Sequence, residues 1–206
     1  MRMARKYHAL AVIFSHTNYV FAIGGFNENY LNTCEKYDEL HDRWTYSASC
    51  EEYKDDVIAI TRDNRYIFAF GGKGFDMNNY ATRRFRKIQR LDVCAEEEGW
   101  QVMHVQIDAE LSKEIWKRTF STKMFHSFNS HDIFIFKGSN DTYVYNVTTS
   151  EIKKKSLACK KLEPREPSIE RHGYIYYMGT ECRPIYSHYL RQWMPRRKHS
   201  HSSNDE

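Results

Sequence analysis

Apolar runs closed by glycine recur along this chain, each followed at a set distance by large aromatic or aliphatic residues. The first run is Tyr19-Val-Phe-Ala-Ile-Gly24-Gly25; Cys34-Glu-Lys-Tyr37-Asp38 and Arg43-Trp44 follow, with six residues between Tyr37 and Trp44. The second, Arg65-Tyr-Ile-Phe-Ala-Phe-Gly71-Gly72, leads to Leu91-Asp92 and, after a two-residue insertion, to Trp100. The third, Asp132-Ile-Phe-Ile-Phe-Lys-Gly138, keeps one glycine and leads to Tyr145-Asn146, with Ile152 where a tryptophan would fall. The fourth, Gly173-Tyr-Ile-Tyr-Tyr-Met-Gly179, is followed by Tyr186 and Trp193. Positions 37, 91, 145 and 186 are 54, 54 and 41 residues apart.

A short run of β-branched and aromatic residues bounded by turn residues predicts a strand buried on both faces. Glycine at its end permits backbone angles that a Cβ forbids and lets a neighbouring element approach closely. The later aromatics are expected to fill the space between adjacent sheets, each burying on the order of 150–250 Å². Around each glycine the strands come in fours. They are predicted at 8–15, 19–25, 34–40 and 43–48 in the first unit, and at 55–61, 65–72, 87–93 and 99–105 in the second. The third unit has them at 123–129, 132–138, 142–147 and 151–157, and the fourth at 168–172, 174–179, 184–190 and 192–194.

Four antiparallel strands per repeat, with periods in this range, is the organisation of a propeller blade. The residues Arg5-Lys-Tyr-His8, Gly24-Gly25, Asn32-Thr33, Glu35, Tyr37-Asp38 and Trp44 make the first unit resemble the repeat of the kelch β-propeller family. Lys123-Met-Phe-His126 repeats the basic-x-x-His spacing of Arg5 to His8 and extends the resemblance into the third unit. An unrelated β-sandwich with coincidental Gly-Gly pairs would not be expected to reproduce four such spacings. The expected fold is all-β, a kelch-type propeller of about four blades near 5–48, 55–105, 123–157 and 165–194. A polar disordered tail is expected over 195–206. Four blades suggest an incomplete ring with uncovered sheet surface, so we expect either a portion of a longer gene product or a chain that pairs with another copy. The segment from Asp108 to Lys117, with Ala109, Leu111, Ile115 and Trp116 at helical spacing, is the best helical candidate; it is expected to be a blade-to-blade connection that caps the propeller, the alternative being an extra partner-binding helix.

Composition narrows the function classes. The five cysteines (Cys34, Cys50, Cys94, Cys159 and Cys182) are odd in number and form no CxxC pair, which argues against a disulfide framework and for a reducing, cytoplasmic setting. The apolar stretch 9–14 is too short for a secretory signal, and no run reaches membrane-spanning length. The net charge of +4 divides unevenly, −1 over residues 1–98 and +5 over residues 99–206. Its clusters are Arg83-Arg84-Phe85-Arg86-Lys87, Lys153-Lys-Lys155 with Lys160-Lys161, and Arg196-Arg-Lys198. Any one such run reads most simply as a solvated loop; the functional alternative is a surface for an acidic protein partner. Nucleic acid is disfavoured because the total charge is modest and no recognised module is present.

No catalytic constellation emerges. The ten histidines are scattered, and the close pair His199 and His201 has no third ligand nearby. Glu96-Glu97-Glu98 reads as a solvated turn, and no glycine-rich phosphate loop opens a helix. No catalytic residue, metal site or cofactor is therefore expected, and the chain is read as a non-enzyme. The resemblance to kelch proteins implies partner binding through one face of the ring, built by loops between second and third strands and between blades. Those loops hold Asn27, Tyr30, Asn32, Phe75, Tyr80, Arg83, Arg84 and Arg86, and Tyr and Arg often dominate interface energy. The same resemblance implies a scaffold or adaptor role, with links to ubiquitin ligases or the cytoskeleton. The alternative is a propeller-based enzyme or carbohydrate-binding protein of galactose-oxidase-like type.

Overall fold

The computed structural model describes residues 1–52, 54–76, 81–116, 123–126, 131–136, 141–156, 168–171, 174–178 and 184–186. The first unit contains β1 (Ala9–Ile13), β2 (Tyr19–Ile23), β3 (Phe26–Asn27), β4 (Asn29–Tyr30), β5 (Cys34–Asp38) and β6 (Arg43–Ser47). The second contains β7 (Ile58–Arg62), β8 (Tyr66–Phe70), β9 (Lys73–Asp76), β10 (Ala81–Arg84), β11 (Ile88–Asp92) and β12 (Gln101–Met103). Helix α1 (Ala109–Ile115) precedes β13 (Lys123–His126), β14 (Asp132–Phe136), β15 (Asp141–Asn146) and β16 (Glu151–Ser156). The last described strands are β17 (Ser168–Arg171), β18 (Tyr174–Met178) and β19 (Pro184–Tyr186). They form antiparallel sheets ordered β1-β2-β5-β6, β12-β11-β8-β7, β13-β14-β15-β16 and β17-β18-β19. The expected fourth strand of the last unit, including Trp193, lies outside the described residues, as do Tyr80, Gly138, Gly179 and the tail 195–206.

The recurring aromatic spacing is a strand register. Tyr37 pairs with Trp44 across β5 and β6, and Tyr145 with Ile152 across β15 and β16. In the second sheet β11 and β12 pair Arg90 with Gln101, which sets Leu91 opposite Trp100 one step further on. The two extra residues there are absorbed by a 3-10 turn at Glu96–Glu98. That turn is not simply solvated, as its composition suggested. The Glu96 carboxylate accepts from Lys36 Nζ and, at 2.8 Å, from Ser47 Oγ, so it ties the second blade to the first.

Adjacent sheets pack face to face. Ala9, Ala11, Ile13, Phe21, Ile23 and Cys34 of the first meet Ile67, Ala69 and Leu91 of the second. Alternate residues of β8, Phe68 and Phe70, point the other way and with Ile88 of β11 meet Ile133, Ile135, Tyr143, Tyr145 and Ile152 of the third. Strand β8 is thus buried on both faces, and burying each such side chain contributes about 1.5–3 kcal/mol. Cys34 and Cys50 lie in the first of these cores with sulfurs 3.5 Å apart, as free thiols. The hydrogen bond with Cys50, then burial, pushes the Cys34 thiol up.

Tyr37 and Trp44 depart from expectation. Leu91 and Tyr145 at the equivalent register are fully buried against the preceding blade, whereas Tyr37 and Trp44 are only half-buried. They stack on each other at 5.3 Å, and the Tyr37 hydroxyl donates to Asp42 Oδ1 at 2.6 Å. The reason is positional, because among the described residues no sheet packs on that side of the first blade.

The glycine pairs mark where linkers cross the sheets. Gly24 has φ +62 and Gly25 φ +108; a Cβ on Gly24 would lie 2.5 Å from the Lys54 carbonyl oxygen, and one on Gly25 2.8 Å from that of Lys6. Gly25 N–H donates to the Lys54 carbonyl at 2.9 Å. The close neighbour is therefore linker backbone rather than an adjoining sheet. Gly71 and Gly72 repeat the angles at +59 and +109.

Helix α1 forms where predicted. Asp108 caps it, its Oδ1 accepting from Glu110 N–H and Leu111 N–H. Ile115 and Trp116 then enter the core between the second and third sheets.

Candidate functional site

The long connection between Gly72 and Leu91, expected to be a loop, folds largely as a hairpin. Strand β9 pairs with β10, setting Arg83 opposite Gly74 and Arg84 opposite Lys73. Phe85 anchors the basic run: its side chain is buried and its N–H donates to the Gly72 carbonyl at 2.9 Å. With Phe85 turned inward, Arg84 and Arg86 stay at the surface, and the Arg83 guanidinium lies 5.2 Å from the Phe85 ring.

A cleft of about 850 Å³ brings this run together with a second element. Arg83, Arg84, Phe85, Arg86 and Lys87 line it with Lys113 and Trp116 from the end of α1, and Glu52 is its acidic member. Lys87 lies 3.1 Å from both Glu51 and Glu52. Burial works against its ammonium charge, but the hydrogen bonds to the two glutamates outweigh burial and raise its pKa. Lys113 pairs with Glu110 on the exposed helix surface. Arg86 is exposed and has no ion-pair partner among the described residues. Beside the run, burial and the neighbouring Asp56 push Asp55 up to about 6, against the opposing charges of Lys73 and Arg84.

The other proposed contact residues go elsewhere. Tyr30 lies in the β3–β4 hairpin, edge-on to Phe26 at 5.5 Å, and Asn27 is its neighbour in β3. The Asn32 carbonyl accepts from Cys50 N–H at 2.8 Å, a linker contact. None of these three lines the cleft, and Phe75 sits in β9 opposite Thr82 without lining it. The Lys153-Lys-Lys155 run behaves as an ordinary surface: Lys153 pairs with Glu151 and Lys154 with Glu114, each at 2.8 Å. Reading the sequence missed Lys113 and Trp116 as partners of the arginine run; the helix signal was present, but nothing local connected it to residues 83–87.

A line of buried polar groups also went unremarked. Lys54, fully buried, donates from Nζ to Gln89 Oε1 at 2.7 Å, and Trp100 Nε1 donates to the Ala48 carbonyl at 2.9 Å. These contacts hold the second blade to the linker and the first blade. His8 packs against Gly25, and burial, then the charge of Arg5, lowers its pKa, consistent with a neutral structural histidine. Among the described residues no three His, Cys, Asp or Glu side chains are grouped so as to hold a metal ion.

Comparisons with known proteins agree with this architecture. Residues 5–51 match the family model of the Kelch motif. Among solved structures the chain is similar to that of YjhT, with a TM-score of 0.62 at 12% sequence identity, covering 85% of this chain and 57% of the other. The chain thus spans little more than half the length of that neighbour. No curated protein matches. The fold is a set of β-propeller blades, the first of them a Kelch motif. The chain is similar to kelch-type propellers, with the Kelch motif itself matched over residues 5–51.

Proposed function

We propose that this chain is a non-catalytic protein-interaction module whose basic cleft binds an acidic segment of a partner protein. The observation that carries this reading is the convergence of Arg83, Arg84 and Arg86 with Lys113 and Trp116 in one cleft. Arginines give bidentate contacts to carboxylates, and the buried Trp116 forms an apolar wall beside them. The cleft is mounted on rigid elements, since Phe85 and Trp116 are both core residues. The role proposed with it is that of a scaffold or adaptor, and the unpaired cysteines support a cytoplasmic setting.

Affinity capture from a cell extract tests it, with the wild-type chain compared against an Arg83→Glu, Arg84→Glu, Arg86→Glu variant of unchanged circular dichroism. Proteins retained by the wild type and lost by the variant, with affinity falling steeply as salt rises, are the expected result. Identical capture by both chains would remove the cleft from consideration.

A further inference from the structure

Cys34 and Cys50 meet because the chain folds back beside β5, not because they pair across strands. Cys34 opens β5, and its partner across the ladder is Ser47 of β6. Cys50 lies beyond the end of β6, in the connection to the second blade, and its N–H donates to the Asn32 carbonyl at 2.8 Å. That bond turns the connection alongside the start of β5 and leaves the two sulfurs 3.5 Å apart. A disulfide holds its sulfurs about 2.05 Å apart, so small rotations about the two Cα–Cβ bonds separate this contact from a covalent one.

Buried thiols often serve only as small apolar packing. This pair differs in being polarised. The hydrogen bond between the sulfurs raises Cys34 and lowers Cys50; burial opposes the fall at Cys50, and the charge of Lys54 assists it. Cys34 thus keeps its proton and donates it, while Cys50 is the better nucleophile. The pair also sits close to solvent. Cys50 is 3% exposed, but Ser49 and Glu51 on either side of it are exposed, so a local opening of this short stretch uncovers its sulfur. Cys34 is held within the strand ladder and fully buried.

We propose that Cys34 and Cys50 form a redox-active dithiol that hydrogen peroxide closes, reversibly, to an intramolecular disulfide. The Cys50 thiolate attacks one peroxide oxygen and the O–O bond breaks. Hydroxide leaves and takes up the proton that Cys50 had shed, giving water, and Cys50 becomes a sulfenic acid. The Cys34 sulfur then attacks the Cys50 sulfur; its proton passes to the departing hydroxide, and a second water leaves as the S–S bond forms. Two thiols have lost two electrons, and one peroxide has been reduced to two waters. A dithiol reductant restores both thiols by exchange. Reversible bonds of this kind are the usual form that disulfides take in reducing compartments. The bond ties β5 to the connection that carries Glu51 and Glu52, whose carboxylates hold Lys87 of the basic cleft. This chemistry goes beyond partner binding and stands whether or not the cleft takes an acidic segment.

Peptide mapping of the 206-residue chain is the test. Reduced protein is treated with hydrogen peroxide, remaining thiols are alkylated in denaturant, and the tryptic peptides are read by mass spectrometry. The expected product is the peptide carrying Cys34 joined to the one carrying Cys50, absent before peroxide and again after dithiothreitol. It should form at least about tenfold faster than the exposed Cys94 is oxidised. Cys34→Ala should leave Cys50 as a sulfenic acid that dimedone captures, whereas Cys50→Ala should leave Cys34 unlabelled, each with circular dichroism unchanged. If either variant fails to fold, the wild-type map decides alone. Cys34 and Cys50 both still open to alkylation once Cys94 has been oxidised would overturn the proposal. So would Cys50 joined to a cysteine other than Cys34, or dimedone on Cys34 in the Cys50→Ala chain.

Discussion

Arg5 holds Glu35 through Nη2 and Oε1 at 2.6 Å, with both side chains fully buried. Arg5 Nη1 also donates to the Gly24 and Thr33 carbonyls at 2.8 Å each, so one guanidinium ties the start of the chain to the glycine turn and to β5. Burial works to raise the Glu35 pKa, but the N–H groups of Arg2 and Met3 and the Arg5 guanidinium outweigh it and hold it below the usual carboxylate range.

Arg5→Met should cost about 3–5 kcal/mol at neutral pH, because it leaves a buried carboxylate without its counter-charge. A depressed carboxylate pKa contributes stability that is present above the unfolded pKa and lost as pH falls through the folded one. The gap between wild type and variant should therefore narrow in acid. Urea unfolding at neutral and acidic pH measures both effects.

Lys54 and Gln89 are the second blade's counterpart of that pair. Lys54→Met alone should destabilise by about 1–3 kcal/mol, since Gln89 loses a buried partner. The double change Lys54→Met, Gln89→Leu should recover much of the loss, because replacing both members of a buried polar pair by apolar groups of similar shape is often close to neutral. A double-mutant cycle that shows no coupling would mean the two side chains do not act as a unit.

Asp55 carries the opposite sign. Its pKa is raised from 3.8 to about 6, so the folded state holds its proton more tightly than the unfolded chain. Stability from this group is full below 3.8 and falls as pH rises through about 6. Asp55→Asn should therefore stabilise the protein at neutral pH by about 1–3 kcal/mol and have little effect in strong acid. Thermal unfolding across that range checks it, and a variant less stable than wild type at neutral pH would contradict the assignment.

Gly24→Ala tests the crossing of linker and sheet. The φ of +62 disfavours a side chain, and the new Cβ would sit 2.5 Å from the Lys54 carbonyl oxygen, which is backbone and cannot swing aside. A loss of at least about 2 kcal/mol is expected. Gly99→Ala is the comparison: its φ is also positive, at +73, but nothing lies within 4 Å, so it should lose only about 1–2 kcal/mol. Chemical denaturation of the two variants beside the wild type measures the difference.

The blades themselves are legible in the amino-acid sequence because their signals are local. Strand β2 begins at the predicted Tyr19, and β5 and β6 at the predicted Cys34 and Arg43. The interval from Tyr37 to Trp44 is the length of one turn joining two paired strands. Helix α1 is legible from the helical spacing of Ala109, Leu111, Ile115 and Trp116. The β3–β4 and β9–β10 hairpins are not, since such short strands carry too few residues for alternation to show. The cleft is legible by half: the arginine run stands out in sequence, whereas its meeting with Lys113 and Trp116 depends on how α1 docks between the second and third sheets.

The sequence by itself determined the repeating unit: which residues form strands, where glycine turns fall, and which positions pair across strands. All of these follow from periodicity and backbone stereochemistry within a few residues. Only the tertiary structure decided the fate of equivalent positions. Leu91 and Tyr145 are buried while Tyr37 and Trp44 are left half-open, although the register is the same. Burial depends on which sheet stands opposite, and a repeat does not encode its neighbour. The same reason separates the arginines gathered in the cleft from the lysines of the Lys153-Lys-Lys155 run: similar charge runs acquire different roles once distant elements pack beside one of them.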